Sequence, residues 1–172
     1  MIHGKHVLAP ILLSLFNKIF EIGYFPTSWS EGYIVPIQQK GSTTDVNKYR
    51  GITLLSTLGK LFTRILNNRL TEWAEKYSVY IEAQTCFRSN MGTTDNIFSL
   101  HDIMSHMLNN GKQLFCAFID FTKAFDYVVR DNLWSKLNKL GLGGNILNSI
   151  RSMYTAVKSR VTSCYDSKSE QV

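Results

Sequence analysis

The apolar residues of 7–16 continue through Ile19, Phe20 and Ile22 at helical spacing, which predicts a packed helix over 7–22 that stops at Gly23, a residue suited to a left-handed cap. The stretch holds Pro10 and Ser14 and gives way to Asn17 and Lys18, well short of the ~20 apolar residues of a membrane span. No small-x-small cleavage site follows it, so it does not read as a signal peptide. Past a turn region with Pro26, Ser28 and Ser30, residues 33–38 are apolar and β-rich, and Pro36 marks them as an edge strand or a bulge. Residues 39–48 are polar, carry Gly41 and read as a loop, and 49–55 read as a second strand. The result is an irregular hairpin with Lys40, Lys48 and Arg50 near its tip and return strand.

Ser56 or Thr57 can cap a long helix in which Leu58, Leu61, Phe62, Ile65, Leu66, Leu70 and Trp73 recur at three and four, leaving Arg64, Asn67, Asn68 and Glu75 outside. After a loop containing Gln84 and Arg88, a helix is predicted over 94–109, with Ile97, Leu100, Met104, Met107 and Leu108 inward and Gly111 as its stop. Residues 114–119, Leu-Phe-Cys-Ala-Phe-Ile, form a continuous apolar run of strand length, of the kind buried at a sheet centre, and it ends in Asp120. Asp131 can cap a helix carrying Leu133, Leu137 and Leu140 up to Gly141. Ile146, Ile150, Met153, Tyr154 and Val157 mark another, and the tail from Ser159 is polar and reads as loose. No repeat or low-complexity run interrupts this succession, so the fold class expected is α/β (α+β).

Composition narrows the classes of function. At 172 residues the chain has the length of about one domain, and with 44% hydrophobic and only 19% charged residues it is far too apolar for a disordered basic tail. Lys and Arg number 19 against 13 Asp and Glu, a net charge of +6 that favours phosphate-bearing partners. Cys86, Cys116 and Cys164 are odd in number and far apart, with no second Cys or His at zinc-ligand spacing, which argues against a disulfide framework or a structural zinc and for an intracellular protein, not a secreted one. His101 and His106 lie five apart, off a shared helix face, so any metal here would be held by oxygen.

Asp120 is the sharpest candidate. A carboxylate at the end of a buried strand costs several kcal/mol to desolvate unless it meets a cation, and the alternatives are a helix cap or a partner for Lys123. The nine residues that contain it, Phe-Ile-Asp-Phe-Thr-Lys-Ala-Phe-Asp over 118–126, place Phe125 five positions after the carboxylate and resemble motif A of reverse transcriptases. Further segments agree in order. Ile34-Val-Pro-Ile with Lys40-Gly41, then Tyr49-Arg-Gly-Ile-Thr-Leu, is similar to the first fingers motifs of the non-LTR (LINE-type) retrotransposon enzymes, and 60–70 to the helix that follows them. Gln84, Phe87 and Arg88 resemble the Gln-x-Gly-Phe-Arg template-side segment, and Thr94-Asp-Asn-Ile resembles the opening of the next helix. The sequence departs from the family at Gln39, where Lys is frequent, and at Cys86, where the pattern has Gly.

The resemblance implies a right-hand polymerase, with fingers and the start of the palm over about 7–110, palm with motif A over 111–161, and a loose tail over 162–172. It implies an RNA-directed DNA polymerase that adds deoxynucleotides to a primer 3′-hydroxyl with two Mg²⁺ ions. Its partners are an RNA template, a DNA primer and deoxynucleoside triphosphates, with no membrane. By the same resemblance Asp120 would bridge both ions with the carbonyl of Phe121 as a further ligand. Phe125 would exclude a ribose 2′-hydroxyl, Arg50 and Lys40 would meet the triphosphate, and Gln84, Phe87 and Arg88 would lie against the template. The family's second carboxylate motif, Tyr/Phe-x-Asp-Asp, is absent, and the 172 residues contain no Asp-Asp pair. The expectation is therefore a truncated copy or a gene-model fragment, inactive by itself. Two rivals stand beside it: a non-catalytic nucleic-acid-binding remnant, and a pseudogene product that is unexpressed or folds poorly.

Overall fold

The computed structural model describes residues 4–122 and 124–161. Among these, five helices accompany a three-stranded sheet: α1 (Lys5–Ile22), β1 (Glu31–Gln38), β2 (Tyr49–Leu55), α2 (Thr57–Lys76), α3 (Thr93–Asn109), α4 (Arg130–Lys139), α5 (Gly144–Met153) and β3 (Lys158–Val161). The chain divides into two compact units, one made of residues up to Asn67 together with those from Asp131 onward, the other of Asn68–Arg130. No helix of the described residues is long and apolar enough to cross a membrane.

In the first unit, α1 ends as its pattern predicts. Gly23 takes φ 70°, its N–H donates to Ile19 O at 3.0 Å, and a Cβ there would sit 3.1 Å from Asn148 Cβ, so the position needs glycine for both its backbone and its close neighbour. Asn145 Nδ2 donates to Glu21 O at 3.0 Å and Phe25 N–H to Ser152 Oγ at 2.8 Å, two bonds that tie the end of α1 to α5. The core gathers Phe16 and Ile19 from α1, Phe25, and Phe62 and Leu66 from α2, with Trp29, Ile146 and Met153 packed against it. Phe62 is 2% exposed, and its ring lies 5.5 Å from that of Phe16, 5.9 Å from Phe25 and 6.4 Å from Trp29. The tilted geometries are those that aromatic quadrupoles favour. Ser56 Oγ accepts from Gly59 N–H at 3.4 Å, so of the two candidate caps for α2 it is Ser56 that serves.

The hairpin is more regular than its sequence predicts. β1 and β2 pair without a break from Gly32–Leu55 to Gln38–Tyr49, and Gln39 N–H donates to Lys48 O at 2.6 Å where the loop closes. β1 is also not an edge strand: the order is β2-β1-β3, with β3 parallel to Glu31–Ile34. Pro36 is tolerated because it lies beyond Ile34, where β1 has a neighbour on one side only. The polar tail expected to be loose from Ser159 is instead β3 as far as Val161. Its pairing uses backbone groups, which polar, exposed residues supply as well as apolar ones. Residues 162–172, with Cys164, lie outside the described residues.

The largest correction concerns 114–119. The predicted buried strand is irregular chain, and Phe115 and Phe118 are exposed. A central strand takes hydrogen bonds from neighbours on both sides, and no strand of the described residues pairs with this segment. The predicted α3 forms, but Ile97, Met104 and Leu108, expected inward, are exposed, and α3 has no buried residue. Leu133 in α4 and Leu140 just past its end are likewise exposed, and Val157 falls after the end of α5. These stripes carry helical periodicity without a surface that covers them.

Candidate functional site

The segment 84–88 belongs to the second unit and is held at both ends. Arg88 forks onto Glu75, with Nε 3.0 Å from Oε1 and Nη2 2.8 Å from Oε2, and its guanidinium lies 5.5 Å from the Tyr80 ring centroid. Arg88 Nη1 also donates to Gln84 O at 3.4 Å, and Gln84 Nε2 to Cys86 O at 3.5 Å, which folds 84–88 on itself. On the other side Asn96 Nδ2 donates to Thr85 Oγ1 at 2.7 Å. Asn96 stands in the first turn of α3, whose start is fixed by Asp95 Oδ2 accepting from Gly92 N–H at 2.7 Å. Between these anchors Phe87 adopts φ 63°, a left-handed backbone rare for an aromatic residue. Cys86, where the family pattern has Gly, is not among the residues of positive φ.

Asp120, Phe121 and Phe125 follow in the same unit. Asp120 and Phe121 are exposed and lie outside any helix or strand, and Phe125 sits in a turn. The structure brings two of the predicted residues together: the rings of Phe87 and Phe125 meet edge to face, centroids 6.4 Å apart at 84°. In the first unit, Arg50 is exposed on β2 opposite Ile37, and Lys40 is exposed in the loop of the hairpin. Lys40 and Arg50 thus share the loop end of one hairpin. Glu75, Tyr80, Thr85 and Asn96 are members of the site that sequence reasoning missed. Glu75 reads as a solvated outer position of α2, and its partner lies thirteen residues away across a loop.

A family model described as reverse transcriptase (RNA-dependent DNA polymerase) matches residues 37–171. The chain belongs to the reverse transcriptase family. The LINE-type resemblance is borne out by its relatives: the RNA-directed DNA polymerase from mobile element jockey of Drosophila melanogaster is 32% identical over 130 residues, 75% of this chain and 14% of the relative. The probable RNA-directed DNA polymerase from transposon BS of the same fly is 31% identical over 130 residues, with the same shares. The retrovirus-related Pol polyprotein from type-1 retrotransposable element R2 of Nasonia vitripennis is 28% identical over 148 residues, 86% of this chain and 14% of the relative. The chain spans about 14% of the length of these relatives. The mixture of helices with a small sheet is consistent with part of a reverse transcriptase domain.

Reverse transcriptases as a family work with divalent metal ions, which want hard oxygen donors. Asp120 and the Phe121 carbonyl offer that chemistry, yet among the described residues no group of three or more His, Cys, Asp or Glu can hold an ion. Among the described residues the donor set of this reverse transcriptase segment is right in kind and too small to hold a metal pair.

The Glu75 carboxyl is held below its ordinary value, chiefly by its hydrogen bond from Arg88, which outweighs the opposing effect of burial and is aided by that cation's charge. A group whose pKa falls on folding stabilises the fold above its unfolded value and loses that contribution as pH drops through the folded one. The 84–88 loop should therefore stay anchored at neutral pH and be released in acid, as the pH falls through the lowered pKa of Glu75. Limited proteolysis across a pH series checks this. Cleavage near 84–88 should rise in acid for the wild type, and Glu75→Gln should show the raised cleavage already at neutral pH.

Proposed function

We propose that this chain is fingers and N-terminal palm of a non-LTR retrotransposon RNA-directed DNA polymerase, which transfers templated deoxynucleotides to a primer 3′-hydroxyl and releases pyrophosphate. The observation that carries the reading is the motif-A-like segment 118–126 lying inside the span that matches the family. In this reading Asp120 is a ligand of both Mg²⁺ ions in a complete domain, with the Phe121 carbonyl beside it, and Phe125 stands against the sugar of the incoming nucleotide. Arg50 and Lys40 meet its triphosphate, since an arginine fork matches phosphate geometry. Arg50 carries no ion pair among the described residues, which leaves its fork open. Gln84, Phe87 and Arg88 serve the template side, Arg88 by shaping the loop through Glu75. The exposed free thiols of Cys86 and Cys116 suit an intracellular setting.

A second reading, a nucleic-acid-binding remnant without catalysis, is favoured by one observation, the lack of a three-ligand metal cluster among the described residues. Both readings require binding through phosphates. With about four cations engaged on an RNA–DNA primer-template, log K should fall with log salt at a slope of about −3 to −4. Filter binding at several salt concentrations measures it, and a flat dependence would remove both readings. They separate on catalysis once the carboxylate set is completed.

A further inference from the structure

A ring that tells deoxyribose from ribose by shape must be held to a fraction of an ångström, roughly 0.5 Å by the standard of preorganised sites. Phe125 is poorly placed to hold itself, being 82% exposed in a turn. Its ring contact is Phe87, edge to face at 6.4 Å. Phe87 is itself 82% exposed and keeps a left-handed backbone, φ 63°, that an aromatic residue adopts only when its surroundings impose it. Those surroundings are the two anchors of its loop, the Arg88 fork on Glu75 and the bond from Asn96 to Thr85. Together they aim the Phe87 ring at Phe125.

We propose that Phe87 is the positioning residue for the Phe125 ring, and that through it the anchored loop 84–88 sets the preference of the site for a 2′-deoxy over a 2′-hydroxy nucleotide. The proposal rests on the reading of Phe125 as the sugar-excluding residue. Phe87 acts on nucleotide selection through Phe125 and not by touching the sugar, so the two positions should be non-additive.

The test uses the full 172-residue chain with an RNA template, a DNA primer and Mg²⁺, and compares photocrosslinking of 8-azido-dATP with that of 8-azido-ATP. The wild type should favour the deoxynucleotide. Phe125→Ala and Phe87→Leu should each cut that ratio by about tenfold, the scale on which one small group is sensed by shape, and the double variant should cut it no further. Phe87→Tyr should retain the ratio. Phe87→Gly relieves the left-handed backbone, so it should leave thermal stability unchanged or raised while the ratio falls, a divergence that a purely structural role would not produce. A ratio kept in Phe87→Leu and Phe87→Gly but lost in Phe125→Ala would overturn the proposal and leave the role of Phe125 standing. No crosslinking, no deoxy preference in the wild type, or no effect of Phe125→Ala would overturn the role of Phe125 and the proposal with it.

Discussion

Phe62→Ala should unfold the first unit or bring it close to unfolding, at a cost of about 3–5 kcal/mol. The side chain is almost fully buried and touches the rings of Phe16, Phe25 and Trp29, so truncation removes its own transfer energy and three aromatic contacts at once. A cavity remains because the helix α2 and the segment 25–29 are fixed elsewhere: a Cβ on Gly59 would lie 3.3 Å from Trp29 Cβ and 3.4 Å from the Phe25 ring, so the backbone is already close and cannot settle further. Net stabilities of domains run to about 5–15 kcal/mol, which makes this loss a large share of the whole. Thermal denaturation followed by circular dichroism should show the melt lowered by tens of degrees or gone, on the order of 10–30 °C for a unit of this size. Phe115→Ala is the contrasting variant, since Phe115 is 89% exposed, and should move stability by no more than about 0.5 kcal/mol. Equal effects at the two positions would mean that the apolar run 114–119 is buried after all and that the core is wrongly placed.

That pair of variants marks the boundary between what sequence periodicity reports and what it does not. α1, α2 and the β1–β2 hairpin are readable because their signals are local: a three-and-four stripe, a glycine with φ 70° at the stop, a polar loop between two β-rich runs. Residues 114–119 carry an equally clear apolar signal, but a strand is defined by its neighbours, and an apolar run holds no information on whether those neighbours are at hand. β3 shows the converse. Lys-Ser-Arg-Val has no strand pattern, and it pairs with β1 because the chain after α5 returns to the open side of Glu31–Ile34.

The candidate site divides in the same way. Asp120, Phe125 and Arg50 are visible as residue types at motif spacing, and all three lie inside the span that matches the family. The Glu75–Arg88 fork is not visible, because nothing in the sequence singles out one carboxylate of α2 to meet a cation thirteen residues on. The left-handed residue is also hidden: the family pattern directs attention to position 86 for want of its glycine, while the positive φ falls on Phe87, whose bulky side chain argues against it. It is held by contacts made from both sides of the loop, a tertiary cause that no local propensity encodes.

The purified 172-residue chain should show no templated extension of a primer. Two-metal phosphoryl chemistry places ions about 3.5–4 Å apart, and their mutual repulsion has to be offset by several carboxylates. Asp120 supplies one, the sequence holds no Asp-Asp pair, and no three-ligand group occurs among the described residues. In a chimera that joins this segment to the rest of a related element's polymerase domain, extension should return, and Asp120→Asn should then lower it by at least about a hundredfold. That bound is conservative, because the loss of a mere outer-shell partner of a metal ligand costs ~10–100-fold, and the amide keeps the shape of the side chain while removing the charge. Primer-extension assays with an RNA template give the numbers. Activity of the chimera undiminished by Asp120→Asn would show that this carboxylate is not a metal ligand. Activity of the 172 residues alone, lost on the same substitution, would show that the companion carboxylates come from another acid of this chain or from a second copy of it.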